Sequence, residues 1–226
     1  MFIRIGHRGA AGYEPENTLR SFRRALEIGV DVVEFDVYSC RSGELVVIHD
    51  DRVDRTTNGR GYVTDLTFDE LRRLDAGKGE RIPLLEEVLD CVDRKAAVNI
   101  ELKGEKTAAP VSAVVKSYLK KGWLEEHFIV SSFNHYELVE FRRLMPSIRT
   151  GALITAIPIG YAEFGERLGA WSVNPSMEFI DKAFVDDAHR RGLKVLVFTP
   201  DIPEDIARMK TLGVDGAFSN FPDRLR

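Results

Sequence analysis

Gly6-His7-Arg8-Gly9 places a group that titrates near neutrality beside a permanent cation, flanked by two glycines. Together they offer proton transfer and an anion clamp with close backbone approach. Alone the tetrapeptide says little, because His and Arg also decorate strand ends. Val33-Glu34-Phe35-Asp36-Val37 says more. Side chains i and i+2 of a strand share a face, so Glu34 and Asp36 point one way and Val33, Phe35 and Val37 the other. If the apolar set meets covering helices, both acids face the interior of a closed sheet, where they repel and lose solvation. A divalent cation, which prefers hard oxygen ligands, relieves both costs. The alternative is a carboxylate pair at a solvated rim. Asn99-Ile100-Glu101-Leu102-Lys103 repeats the alternation and sets Glu101 and Lys103 on one face. Glu101 then supplies a third carboxylate and Lys103 a nearby cation, unless the two merely satisfy one another, which at a surface contributes little. His49-Asp50 adds a second histidine.

These residues need a scaffold that gathers strand ends. Short apolar runs alternate with amphipathic segments along the chain, as in βαβ units. Candidate strands are Phe2–Gly6, Val32–Tyr38, Leu45–His49, Val98–Leu102, Phe128–Ser132, Thr150–Ile154, Trp171–Asn174, Lys194–Thr199 and Ala217–Ser219. A helix opens at Asn17 or Thr18 and stops at Gly29; others run from Pro110 to Gly122, around Phe184 to Gly192, and up to Gly213. The gap Ser39–Glu44 is too short for a parallel crossover, which needs roughly a dozen residues. Leu45–His49 is therefore an antiparallel arm on the second strand, and eight strands remain. A hairpin centred near Arg41 and Ser42 sets His49 opposite Glu34. Residues 50–79 form a loop-rich insertion over one end, with turn signals at Asn58-Gly59 and Arg60-Gly61 and a short helix near Phe68–Leu74.

The expected architecture is one α/β (β/α)8 TIM-type barrel spanning residues 1–226, with 226 residues being a suitable length. The chain is 44% hydrophobic and 30% charged with both signs interspersed, which excludes a disordered chain. A net charge of −4 gives no global field for nucleic acid. Two cysteines, Cys40 and Cys91, make no disulfide framework and are expected to be reduced. The opening residues lack a signal-peptide pattern, so a cytoplasmic location is expected, and no run suits a membrane anchor. In such a barrel the polar set lies at the C-terminal ends of the strands, where barrel enzymes carry their sites.

His7-Arg8-Gly9, Glu16-Asn17-Thr18, Glu34-x-Asp36, His49-Asp50, Thr56-Thr57-Asn58-Gly59 and Glu101-x-Lys103, in that order, resemble the signature of the glycerophosphodiester phosphodiesterases. The resemblance extends to Val214-Asp215-Gly216 and Ser219-Asn220-Phe221-Pro222. It implies metal-dependent hydrolysis of a small-molecule glycerophosphodiester to sn-glycerol 3-phosphate and an alcohol. His7 and His49 are then the acid/base pair, Glu34, Asp36 and Glu101 the ligands of one Mg²⁺ or Ca²⁺, with Mn²⁺ a third candidate, and Arg8 and Lys103 the phosphate holders. Phe198-Thr199-Pro200-Asp201 stands where the family often has Trp-Thr-Val-Asn, so Phe198 is expected to form an aromatic wall of the substrate pocket. A related activity on lysophospholipids or other phosphodiesters is the main rival, and a silent phosphate-binding barrel the remoter one. Glu16 and Asn17 are read as capping residues outside the catalytic set. His127 and His189 are read as ordinary, and Trp123 and Trp171 as packing.

Overall fold

The computed structural model describes residues 2–226. All nine expected strands form, with ends within two residues of those read from the apolar runs: β1 (Ile3–Gly6), β2 (Val32–Ser39), β3 (Leu45–Val47), β4 (Ala97–Leu102), β5 (Phe128–Ser132), β6 (Arg149–Ile154), β7 (Ser172–Pro175), β8 (Lys194–Phe198) and β9 (Gly216–Ser219). Eight of them run parallel in the order β1-β9-β8-β7-β6-β5-β4-β2. Pairing of β1 with β2, Ile5 opposite Val32 and Gly6 opposite Val33, closes the ring. β3 lies outside the ring, antiparallel to β2. This is the expected α/β barrel with an arm.

Helices α1 (Leu19–Ile28), α3 (Leu85–Val92), α4 (Ala108–Lys120), α5 (His135–Leu144), α6 (Glu163–Arg167), α7 (Lys182–Arg190) and α8 (Pro203–Leu212) cross between successive barrel strands, while α2 (Phe68–Arg72) belongs to the insertion. Thr18 caps α1 by accepting from the Ser21 amide, and Gly29 ends it at φ 80, where a residue without Cβ avoids strain. α4 starts two residues before Pro110 rather than after it. Within the first turn an amide has no intrahelical acceptor, so proline is tolerated there. α3, α5 and α6 were not among the expected helices.

The two faces of β2 divide as its alternation requires. Val33, Phe35 and Val37 pack outward with Phe22, Leu85, Leu89 and Val115 in the main core. Phe22 meets Phe35 edge to face at 5.6 Å. Inside the ring Ile5, Val32, Ile129, Leu196 and Phe218 form a separate apolar plug. Two residues beyond Val32 on the same face comes Glu34, so the acids stand directly above that plug.

The arm differs from expectation by one residue. Val37 pairs with Val47, Tyr38 with Val46 and Ser39 with Leu45, which centres the turn on Ser42 and sets His49 level with Phe35, not Glu34. The cause is a three-residue loop: the Cys40 amide donates to Glu44 O at 3.0 Å, the Gly43 amide to Cys40 O at 3.0 Å, and Gly43 takes φ 100. That is the common three-residue hairpin pattern with a left-handed last residue. Both faces of the arm are buried. Leu45 and Val47 join the main core, and Val46 and Ile48 join Val53, Val63, Leu71 and Ile82 in a small cluster under the insertion.

Candidate active site

Glu34, Asp36 and Glu101 are all buried. Parallel pairing sets Asp36 directly across from Glu101, and each of the three offers an oxygen within 4.8 Å of the others. Two oxygens that share one cation at roughly 2.0–2.6 Å lie no farther than about 5 Å apart, so the spacing fits a single ion. The donors fit too. Asp36 Oδ1 is buried without a hydrogen-bond partner, and Glu101 Oε1, also buried and outside any hydrogen bond, has only the Lys103 ammonium at 3.2 Å beside it. Three buried carboxylates at this spacing, one with an unpartnered oxygen, are the expected sign of a cation site. Burial, and then the neighbouring acids Asp36 and Glu101, raises Glu34 well above its ordinary range. Burial, with Asp36 next in weight, pushes Glu101 up to about 7 in the absence of a cation.

The β1–α1 loop supports this cluster from one side. Arg8, at φ 51, donates its backbone N–H to Glu34 Oε2 at 2.7 Å. Its guanidinium donates through Nη1 to Glu16 Oε1 at 2.9 Å and keeps Nε 3.7 Å from Asp36 Oδ2. Asn17, at φ 56, donates Nδ2–H to Asp36 Oδ2 at 2.8 Å. Glu16 and Asn17 therefore do more than shape a helix start, and the capping reading of them is corrected. Thr18 alone caps the helix, while these two face the site. A polar pair on a loop carries no periodicity that separates the two roles.

His7 ends β1. Its Nδ1 lies 2.8 Å from Asn220 Oδ1, and Asn220 Nδ2 donates to Asp201 Oδ2 at 2.6 Å. An ionised carboxylate only accepts, so Asp201 turns the amide NH₂ toward itself and the amide oxygen toward His7. That oxygen needs a proton from His7 Nδ1, which leaves Nε2 with a free lone pair. Burial pushes the His7 imidazole down to about 4, with the positive charge of Arg8 acting in the same direction. Asp201 and Asn220 were visible only as members of quoted motifs, with no role attached.

The arm supports the opposite side. His49 Nδ1 lies 2.6 Å from Asp50 Oδ1, and its Nε2 lies 3.2 Å from Lys103 Nζ. An ammonium only donates, so Nε2 accepts and Nδ1 carries the proton. Lys103 Nζ also lies 3.2 Å from Glu101 Oε1. A bond from Arg55 is the largest influence on Asp50 and holds its carboxyl down to about 2. Burial pushes Glu16 up, yet the bonds from Arg55 and Arg8 prevail and leave it near 2.

A pocket opens between these two sides, lined by His7, Arg8, Glu34, His49 and Glu101 on one flank and Phe133, Leu153, Phe198 and Phe218 on the other. Phe198 forms the expected wall and meets Phe133 edge to face at 5.7 Å. All eight site residues read from sequence converge here: Lys103 and Asp36 adjoin the lining set through the contacts given above. His135 stays out, stacked on Phe164 with Nε2 donating to Leu153 O at 3.0 Å. Trp123 packs on Phe128, and His189 pairs with Asp215 at 2.9 Å. Both cysteines are free. No helix among the described residues is long and apolar enough to cross a membrane.

Residues 7–224 match the model of the glycerophosphoryl diester phosphodiesterase family. The chain belongs to that family. It is a family of phosphodiester hydrolases. A glycerophosphodiester phosphodiesterase of Caldanaerobacter subterraneus subsp. tengcongensis is 39% identical over 98% of this chain and 95% of its own length. A human lysophospholipase D is 27% identical over 98% of this chain and 84% of its own. The structure of an Oleispira antarctica phosphodiesterase in complex with the product sn-glycerol-3-phosphate superposes with TM-score 0.91 at 34% identity, covering 98% of this chain and 94% of that one.

The raised Glu101 yields a stability prediction for metal-free protein. Its carboxyl titrates near 7 in the folded chain, against 4.5 ordinarily. Between those values the folded state holds a proton that the unfolded state has lost, so stability falls as pH rises through that window. His7, lowered from 6.5 to about 4, has the opposite sign, losing stability as pH falls from 6.5 toward 4. Comparison with Glu101→Gln reports this acid together with its push on Glu34, which acts in the same direction. In chelator, the variant should gain on the wild type from pH 4.5 to 7 by an amount on the order of 3 kcal/mol, then level off. Denaturant titrations across pH measure this; a gap that does not change with pH contradicts the assignment.

Proposed function

We propose that residues 1–226 are one catalytic domain, with 50–79 an insertion at its mouth, that hydrolyses glycerophosphodiesters to sn-glycerol 3-phosphate and an alcohol with one divalent metal. The observation that carries this is the convergence of Glu34, Asp36 and Glu101, with Asp36 Oδ1 buried and unpartnered, between two histidines held by different partners. The carboxylates are the proposed ligands. An oxygen-rich site of this kind suits Mg²⁺ or Ca²⁺, with Mn²⁺ a third candidate. Bound there, the ion would neutralise charge on the phosphate oxygens.

The chain's own residues supply the rest. Arg8 and Lys103 offer cations from opposite sides to a phosphate and to the charge that develops on it. His7 presents a free Nε2 lone pair and is kept neutral by burial, which suits it to accept the proton of the nucleophile. The Asp50 carboxylate holds the His49 ring through Nδ1 at 2.6 Å, which leaves Nε2 as the nitrogen that would carry the proton to the leaving alcohol. Lys103 must leave His49 Nε2 for that donation, and a phosphate drawing the ammonium provides the reason. The nucleophile in this reading is the substrate's own 2-hydroxyl, which attacks the adjacent phosphorus to give a cyclic phosphate that water later opens. Pre-oriented neighbours of this kind reach effective molarities on the order of 10⁵ M.

A second reading, activity on acyl-bearing lysophospholipids, is favoured by one observation. Exposed Phe133, Ile157, Ile159, Phe179 and Ile202 follow β5, β6, β6, β7 and β8 in turn, so neighbouring loops ring one half of the mouth with apolar side chains. Assays against glycerophosphocholine and short-chain lysophosphatidylcholines separate the readings: a rising kcat/KM with chain length favours the second, and a flat or falling series the first.

Chelation should abolish turnover and a divalent ion restore it. His7→Ala and His49→Ala should each lower kcat by roughly 10²–10⁴-fold while the metal still raises the thermal midpoint; wild-type rates in either variant contradict the roles given. A substrate with hydrogen in place of the 2-hydroxyl should bind and resist cleavage. Cleavage at the parent rate would rule out the cyclic route.

A further inference from the structure

We infer that Arg55, outside the pocket and within the insertion, is a positioning residue that holds the phosphate-binding and proton-transfer sides of the site in fixed relation. The inference rests on the roles proposed for Arg8 and His49. Arg55 donates four hydrogen bonds to two carboxylates: Nη1 to Glu16 Oε2 at 2.8 Å, Nη2 to Glu16 Oε1 at 2.7 Å, Nε to Asp50 Oδ2 at 2.6 Å and Nη2 to Asp50 Oδ1 at 3.1 Å. The oxygens that share Nη2 are the decisive ones. Glu16 Oε1 also accepts from Arg8 Nη1 at 2.9 Å, and Asp50 Oδ1 lies 2.6 Å from His49 Nδ1. One NH₂ group thus joins, through one oxygen on each side, the guanidinium of Arg8 to the imidazole of His49. Only a planar fork presents donors toward two carboxylates in this way.

The backbone that carries Arg55 is itself tied down. The Thr57 hydroxyl donates to Val53 O at 2.8 Å and accepts from the Gly59 amide at 3.0 Å. The Asn58 amide donates to Asp75 O at 3.1 Å, and the Asp75 amide returns a bond to Asn58 Oδ1 at 2.9 Å. Thr56-Thr57-Asn58-Gly59, which contributes no group to the pocket lining, thereby has a function: it anchors the strut.

Arg55 is half exposed, with its side chain at 48%, and ion pairs at that exposure add little to stability. Its removal acts on geometry instead. It leaves Glu16 and Asp50 as facing acids with no cation between them, free to release Arg8 and to turn His49. Displacements near 1 Å can cost about 10²-fold in rate, and losses of residues that orient ligands or catalytic groups run at roughly 10–100-fold.

The test is Arg55→Ala assayed on glycerophosphocholine with saturating metal. The expected result is a 10–100-fold lower kcat, a thermal midpoint within a few degrees of wild type, and partial recovery with millimolar guanidinium (figures at about these orders). Arg55→Lys should recover little, because an ammonium lacks the fork. Wild-type kcat and KM in a folded Arg55→Ala overturn the inference. If the Ala variant does not fold, Arg55→Lys decides: wild-type turnover in it overturns the inference, and reduced kcat at an unchanged midpoint upholds it. His49→Ala in the same assay separates the two levels. Full turnover there removes the reading of the site, whereas lost turnover there with full turnover in Arg55→Ala removes only the strut.

Discussion

Three carboxylates confined to the polar end of a closed barrel repel one another, and most of what surrounds them follows from that repulsion. Glu34 and Asp36 face inward because their neighbours Val33, Phe35 and Val37 are claimed by the outer core. Once inward, they need donors. Arg8 supplies a main-chain N–H and Asn17 a side-chain amide, and both residues adopt left-handed backbone to do so. Such conformations cost non-glycine residues roughly 1–2 kcal/mol each. The bonds to the acids offset that cost. Even so, Asp36 Oδ1 stays without a partner and Glu101 Oε1 has only the Lys103 ammonium beside it. The protein's own donors stop short of neutralising the cluster, and the remaining charge is what a cation would meet.

The mouth has two unlike halves. Loops after β1 and β2, with the arm, carry the charged groups and are cross-linked by Arg8, Glu16, Arg55 and Asp50. Loops after β5 to β8 present Phe133, Phe198 and exposed isoleucines. A diester placed between them meets fixed charge at its phosphate and an unbonded apolar surface beyond it. In the proposed reading the cross-linked half acts on the phosphate, and the other half, which makes few directional contacts, is where substrate preference has room to vary.

Alternation made much of this readable in advance. A period of two in Val33–Val37 and Asn99–Lys103 set the acids on one face, and the short gap before Leu45 separated the arm from the barrel. What escaped the reading lacks a period. The height of His49 depends on whether a hairpin loop has two residues or three, which turns on Gly43 adopting φ 100. Glu16 and Asn17 look like capping residues because their types serve both tasks. Asp201, Asn220 and Arg55 act through side-chain bonds between loops far apart in the chain, and pattern along one segment cannot report such a bond. α3 was within reach, since Leu85, Val88, Leu89 and Val92 lie at helical spacing; it was hidden by its place behind a long insertion.

His7 and Asn220 are 213 positions apart. The ring closes only when β9 enters between β1 and β8. During synthesis, then, His7, the proposed base, waits for 213 further residues before its amide partner leaves the ribosome. A nascent chain carries the acids, the arm and the strut long before it holds His7 in its reactive tautomer. Chains cut short before Asn220 should therefore be inert toward phosphodiesters however much of the barrel they form, so hydrolytic competence arrives only once Asn220 has been made.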